Sequence, residues 1–274
     1  MTPPSTASSD ATPSLGSSGA TPSGAADRRA ASPGRRIGAQ ARFETGGLLR
    51  HGEQLLVSLV LPLLALAALA ASSTPSLGDG RRIDLATAGV LALAVISTAF
   101  TGQAILLAYE RRYGVLRLLG TTPLGRSGLL AAKAASVLVV LAIQAVVLGG
   151  VGLALGWRPE PTGIPAALLV GVVGAWAFAS LAALLGGTLR AEGVLAVANL
   201  LWVLVLAVGG VVLAADRFPA PWGELVAWLP SAALGDGLRS ALIEGALPVS
   251  ELLILLAWAA VGSTLAARLL RWSD

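Results

Sequence analysis

Glu110, Arg111 and Arg112 open a charged stretch, YERRYGVLRLLGTTPLGRSGLLAAK, that covers residues 109–133 between two long apolar runs. With Arg117, Arg126 and Lys133 these residues can form ion pairs, and they can orient a charged partner surface. Bond-making chemistry is harder to find. The single histidine, His51, sits among polar residues before the first apolar run and reads as a solvated interface residue. The absence of cysteine removes disulfides and thiolate metal sites. No G-x-x-x-x-G-K phosphate loop occurs, because Lys133 follows two alanines, and no G-x-S-x-G turn is present. Three polar residues, Gln103, Gln144 and Asn199, sit inside apolar runs. Such residues either hydrogen-bond between helices or line a substrate path.

The elements that must hold these residues are membrane helices. The 274 residues are 55% hydrophobic and only 12% charged, against about 25% charged in an average soluble domain. Mean hydropathy is +0.78. Apolar runs recur at lengths near the roughly 20 residues that span a bilayer. They predict an all-α membrane protein with six transmembrane helices at about residues 55–71, 85–108, 134–156, 164–186, 194–215 and 252–270. The run ending LALAALAASS has the look of a signal-peptidase site, but more than fifty residues precede it, so it reads as a retained helix.

Residues 1–36 are rich in Ser, Thr, Pro, Ala and Gly and predict a disordered tail. The transmembrane domain then covers 37–274, beginning with a short interfacial helix over 37–53. Basic residues number fourteen on the side of both termini and of the 109–133 stretch, against five on the other side. The excess marks the cytoplasmic face. It also accounts for the pI near 10.6 without nucleic acid. After Gly120 the pattern breaks; Thr122 suits a helix cap and Pro123 the first helical position. The stretch therefore predicts a short amphipathic helix on the cytoplasmic surface between spans 2 and 3, then a helix re-entering lipid. Two half-apolar helices around Pro230, with Asp236 and Arg239 as i,i+3 neighbours, predict a re-entrant external hairpin between spans 5 and 6. Small residues recur every fourth position from Gly163 through Ala167, Gly171, Ala175, Ala179 and Ala183 to Gly187, a ridge suited to close helix packing.

The charged stretch also resembles a family signature. Glu110-Arg111, Gly114, Leu116, Arg117, Leu119 and Thr122-Pro123-Leu124, with Lys133 downstream, are similar to the pattern of ABC-2-type exporter permeases of the daunorubicin-resistance kind. Gln144 falls where that family often has Gln. Leu229-Pro230 through Arg239 is similar to the stretch before the family's last span. Arg112 departs from the family's Glu, Gly120 from its Arg or Lys, and Leu229 from its Asn.

The resemblance implies that Glu110, Arg111, Tyr113, Gly114, Leu116, Arg117, Leu119, Thr122, Pro123 and Leu124 form a coupling helix seated in a separate ABC ATP-binding subunit. It implies a second permease copy or paralogue, and no cofactor on this chain, with ATP and Mg²⁺ on the partner. The expected role is export of an amphipathic drug-like or lipid substrate across a bacterial plasma membrane, with the chain multi-pass and both termini cytoplasmic. Composition alone leaves two other readings open: an ATP-independent carrier, and a membrane assembly or sensor protein whose basic loop binds anionic lipid.

Overall fold

The computed structural model describes residues 32–50, 52–74, 76–115, 118 and 125–269. Residues 1–31 of the tail predicted over 1–36 therefore lie outside the described residues. So do Leu116, Arg117, Leu119, Thr122, Pro123 and Leu124.

All regular structure among the described residues is helical. Helix α1 (Pro33–Arg50) begins at a proline, where a missing N–H costs nothing, and it packs on α5. It starts four residues before the expected domain boundary at 37. Helix α2 (Gly52–Ala71) tolerates the internal Pro62 and packs on α3. Its free carbonyl end is closed from outside: Arg82 Nε donates to the Leu69 carbonyl at 2.6 Å and Nη1 to that of Ser73 at 3.3 Å.

The central rod is continuous from Arg82 to Arg112. It consists of α3 (Arg82–Ile96), a π-helical turn over Ser97–Gly102, and α4 (Gln103–Arg112). Ser97, Thr98, Thr101 and Gly102 are weak helix formers, and the helix widens where they cluster. The 31 residues measure about 46 Å, well beyond the roughly 30 Å hydrocarbon core. Ile96, Ala99, Phe100 and Ala104 on this rod pack with Phe178, Leu234 and Leu255 as one core. The Phe100 and Phe178 rings meet edge to face at 6.3 Å.

Around the rod stand α5 (Gly125–Ala154), α6 (Ile164–Thr188), α7 (Ala191–Val208) and the last helix, α10 (Val249–Leu269). Among the described residues, five stretches are long and apolar enough to cross a membrane: the rod, residues 131–154 of α5, 161–188 with α6, α7 and α10. The described apolar part of α2, Leu59–Ala71, is shorter than that.

Two features differ from the sequence expectation. The fifth apolar run stops being helix at Val208 rather than near 215, because Gly210 takes φ +75° and turns the chain inward. The every-fourth-residue ridge of α6 is not one face. Steps of four advance about 40° beyond a turn, so seven such residues wind through about 240°. Gly163, Ala167 and Ala175 are buried, while a Cβ on Gly171 would meet open space. The close approaches use other residues as well. A Cβ on Gly186 would sit 2.7 Å from the Ala104 carbonyl, and Gly262 of α10 lies directly against Ser180.

Between α7 and α10 the chain forms α8 (Trp222–Ala227), α9 (Pro230–Arg239) and a second π-helical turn over Ser240–Glu244. Helix α9 is buried at Pro230 through Gly235 and again at Gly237 through Arg239, packed against α3, α6 and α10. The chain then turns at Gly245, φ +70°.

Candidate functional site

Three consecutive charged residues end α4, and successive helical positions point about 100° apart. Each therefore reaches a different neighbour. Glu110 Oε1 accepts from Lys133 Nζ of α5 at 2.7 Å. The Arg111 guanidinium donates to the carbonyl of Leu189, the residue that ends α6. Arg112 pairs with Glu192 in the first turn of α7. The rod's end is thus tied to three helices at once. The ties are unequal. Lys133 and Glu110 are mostly buried and Arg111 is buried, whereas Arg112 and Glu192 are exposed. An exposed pair is screened by water and contributes little to stability. A buried one matters mainly because breaking it strands a charge.

The surface helix was expected to begin at Tyr109. Instead, Tyr109 to Arg112 complete the membrane rod. The helix ends only at Tyr113, and Gly114 takes φ +71° as its C-terminal turn. Tyr113 is exposed and its ring stacks on Tyr109 at 6.1 Å. Val115 and Leu118 are also exposed, so apolar side chains stand in the open beside the buried charge cluster.

The three mid-membrane polar residues do not converge. Gln144 is buried, and its Oε1 accepts from Thr98 Oγ1 of the π-helical turn at 3.0 Å. Gln103 is half-buried on α4. Asn199 is exposed and donates to the Leu195 carbonyl one turn back, at 2.8 Å. Of the three, only Gln144 lines the apolar groove between α3, α5, α6 and α9.

At the opposite end, Asp236 and Arg239 do meet. Arg239 Nη2 lies 2.6 Å from Asp236 Oδ1 and 2.9 Å from the Gly210 carbonyl, while Nη1 lies 2.7 Å from that of Val211. The planar fork closes the carbonyls that the break after α7 leaves open. Burial pushes the Asp236 carboxyl above its ordinary range, and the Arg239 charge beside it opposes that rise. Pro230 stands at the start of α9, where its missing N–H is harmless. Among the described residues, no group of three potential metal ligands comes together.

The family model for ABC-2 family transporter proteins matches residues 55–268, well over half of the chain. The chain belongs to the ABC-2 transporter family. It is a multi-pass membrane protein and the membrane component of an ABC transporter, a transport part rather than a catalyst. A comparison with curated proteins finds no match.

Sequence reasoning about this ABC-2 permease missed several contacts. Sequence alone pairs neither Glu192 nor Lys133 with the end of α4. Opposite charges 23 positions apart across a turn were the available signal for Glu110 and Lys133. No sequence signal pointed to Ser97, whose Oγ accepts from Trp202 Nε1 of α7 at 2.7 Å.

Proposed function

We propose that this chain is the six-span permease subunit of an ATP-driven exporter that moves an amphipathic drug-like or lipid substrate out of the cytoplasm. A separate ATP-binding subunit supplies ATP and Mg²⁺, and a second permease copy or paralogue completes the pathway. The Glu110 end faces the cytoplasm of a bacterial plasma membrane, with both termini on that side. The observation that carries this reading is the threefold anchoring of the α4 end, at the start of the stretch that resembles a coupling helix. A push on a surface segment does mechanical work only if its base is fixed to the body. Here Glu110, Arg111 and Arg112 link that base to α5, α6 and α7. Displacing the segment then moves several spans together, as rigid levers between inward-open and outward-open states.

The exposed Tyr113, Val115 and Leu118 offer an apolar contact to the partner, with Arg117 as a charged rim that sets orientation. The test is reconstitution of this chain with a separate ABC ATP-binding subunit. Tyr113→Ala and Arg117→Glu are expected to lower substrate-stimulated ATP hydrolysis about tenfold or more, corresponding to roughly 1.4 kcal/mol or more of lost coupling, while the fold is kept. Full-rate transport without nucleotide would instead support the ATP-independent carrier. Dependence on anionic lipid alone would support the lipid-anchored loop.

A further inference from the structure

The apolar groove between α3, α5, α6 and α9 has a volume of about 570 Å³, within the range of about 300–1,000 Å³ typical of small-molecule sites. Along α5 its lining runs from Leu138 to Leu153. That is about 22 Å of helix, enough to cover the roughly 15 Å of hydrocarbon in one leaflet. Its sides include Leu138, Val146, Leu153, Leu168 and Val172, all exposed on α5 and α6, so it opens sideways where a bilayer would lie. Glycines make the space: a Cβ at Gly150 or Gly171 would meet nothing within 4 Å.

The end of the groove is chemically different. Gly156, φ +94°, stops α5, and the Trp157 N–H turns back to the Gly152 carbonyl at 2.8 Å. The indole then lies over Gly149 and Gly152. Trp157 is 7% exposed, and its Nε1 is buried with no hydrogen-bond partner, a costly state for a donor. Next to it, Arg158 is exposed, and its side chain makes no ion pair among the described residues. The nearby carboxylates are engaged elsewhere. Asp84 accepts from the Arg158 backbone N–H and pairs with Arg81, and Glu160 meets Thr162. The apolar slot thus ends at Trp157 and Pro159, with the exposed Arg158 between them in the chain, a pairing of indole and cation suited to the headgroup level.

We infer that this groove binds one membrane phospholipid, with an acyl chain along α5 and α6 and its phosphate against Arg158. The inference requires α5 and α6 to cross the membrane. It does not depend on ATP coupling, on the direction of transport or on the cargo.

The test uses the full chain in nanodiscs of phosphatidylcholine, with or without phosphatidylglycerol, carrying a trace of phospholipid with a photoreactive diazirine in its acyl chain. Adducts are mapped by mass spectrometry. They are expected to concentrate on residues 138–157 and 164–172. Gly150→Leu with Gly171→Leu fills the slot and is expected to cut these adducts about tenfold or more, with the thermal unfolding midpoint retained. Arg158→Gln is expected to reduce them and to abolish any gain from phosphatidylglycerol. If filling the slot leaves the adducts unchanged, or if they fall equally on the exposed faces of α7 and α10, the proposal is overturned. Crosslinks joining α5 of one copy to α6 of another would also overturn it, since that face would then be a contact between copies.

Discussion

Lys133 Nζ stands 2.7 Å from Glu110 Oε1, with both side chains mostly withdrawn from solvent. The two residues lie 23 positions apart and join the end of α4 to α5. Removing one partner weakens the compensation of the buried charge that remains, and breaking a buried pair typically costs about 3–5 kcal/mol. Glu110→Gln and Lys133→Met are therefore each expected to lower the unfolding midpoint in detergent clearly. The double variant Glu110→Leu with Lys133→Met is expected to recover much of the loss. Arg112→Ala, which breaks an exposed pair, is expected to leave the unfolding midpoint nearly unchanged. Strictly additive single losses would argue that the pair is not a unit.

Orientation can be read without removing any native thiol, because the chain has no cysteine. Tyr113→Cys and Arg158→Cys place a thiol at opposite ends of the molecule, both at exposed positions. In intact cells an impermeant maleimide is expected to label the 158 position and to reach the 113 position only after lysis. The reverse pattern would turn the protein over and remove the basis for cytosolic coupling.

The glycines of α6 and its entry turn should respond according to their surroundings. A Cβ at Gly163 would run into the Ala241 carbonyl, and one at Gly186 would lie 2.7 Å from the Ala104 carbonyl. Backbone cannot step aside cheaply, so alanine at either site is expected to cost about 1–3 kcal/mol. Gly171→Ala faces open space and should be neutral or stabilising by about 0.5–1 kcal/mol, the helix penalty of glycine. Unfolding midpoints of the three variants, compared side by side, check this.

Arg239 serves Asp236 and the carbonyls of Gly210 and Val211 together. Arg239→Lys offers a point charge in place of a planar fork and is expected to lose about 1–3 kcal/mol through unsatisfied carbonyls. Arg239→Met should cost more, since it also strands Asp236. Asp236→Asn should cost less than Arg239→Met, because the carbonyl contacts persist. Folded yield and the unfolding midpoint together rank the three.

Composition and apolar run length determined the class of molecule from the sequence alone: helical and membrane-embedded. These properties are local, set by the transfer of about twenty consecutive side chains into lipid. The resemblance at Glu110 through Leu124 identified the family for the same reason, since it is carried by contiguous residues. The partners of those residues were decided only in three dimensions. Glu110 finds Lys133, Arg111 finds Leu189 and Arg112 finds Glu192 because consecutive helical positions diverge by about 100° toward helices distant in sequence. The early end of α7 at Val208 was hidden as well, because an apolar run looks alike whether it continues as helix or turns inward at a glycine. The groove depends on tertiary packing for a similar reason. Gly150 and Gly171 line a space, while Gly163 and Gly186 close one, and a glycine carries no mark of which it will do until a neighbour arrives.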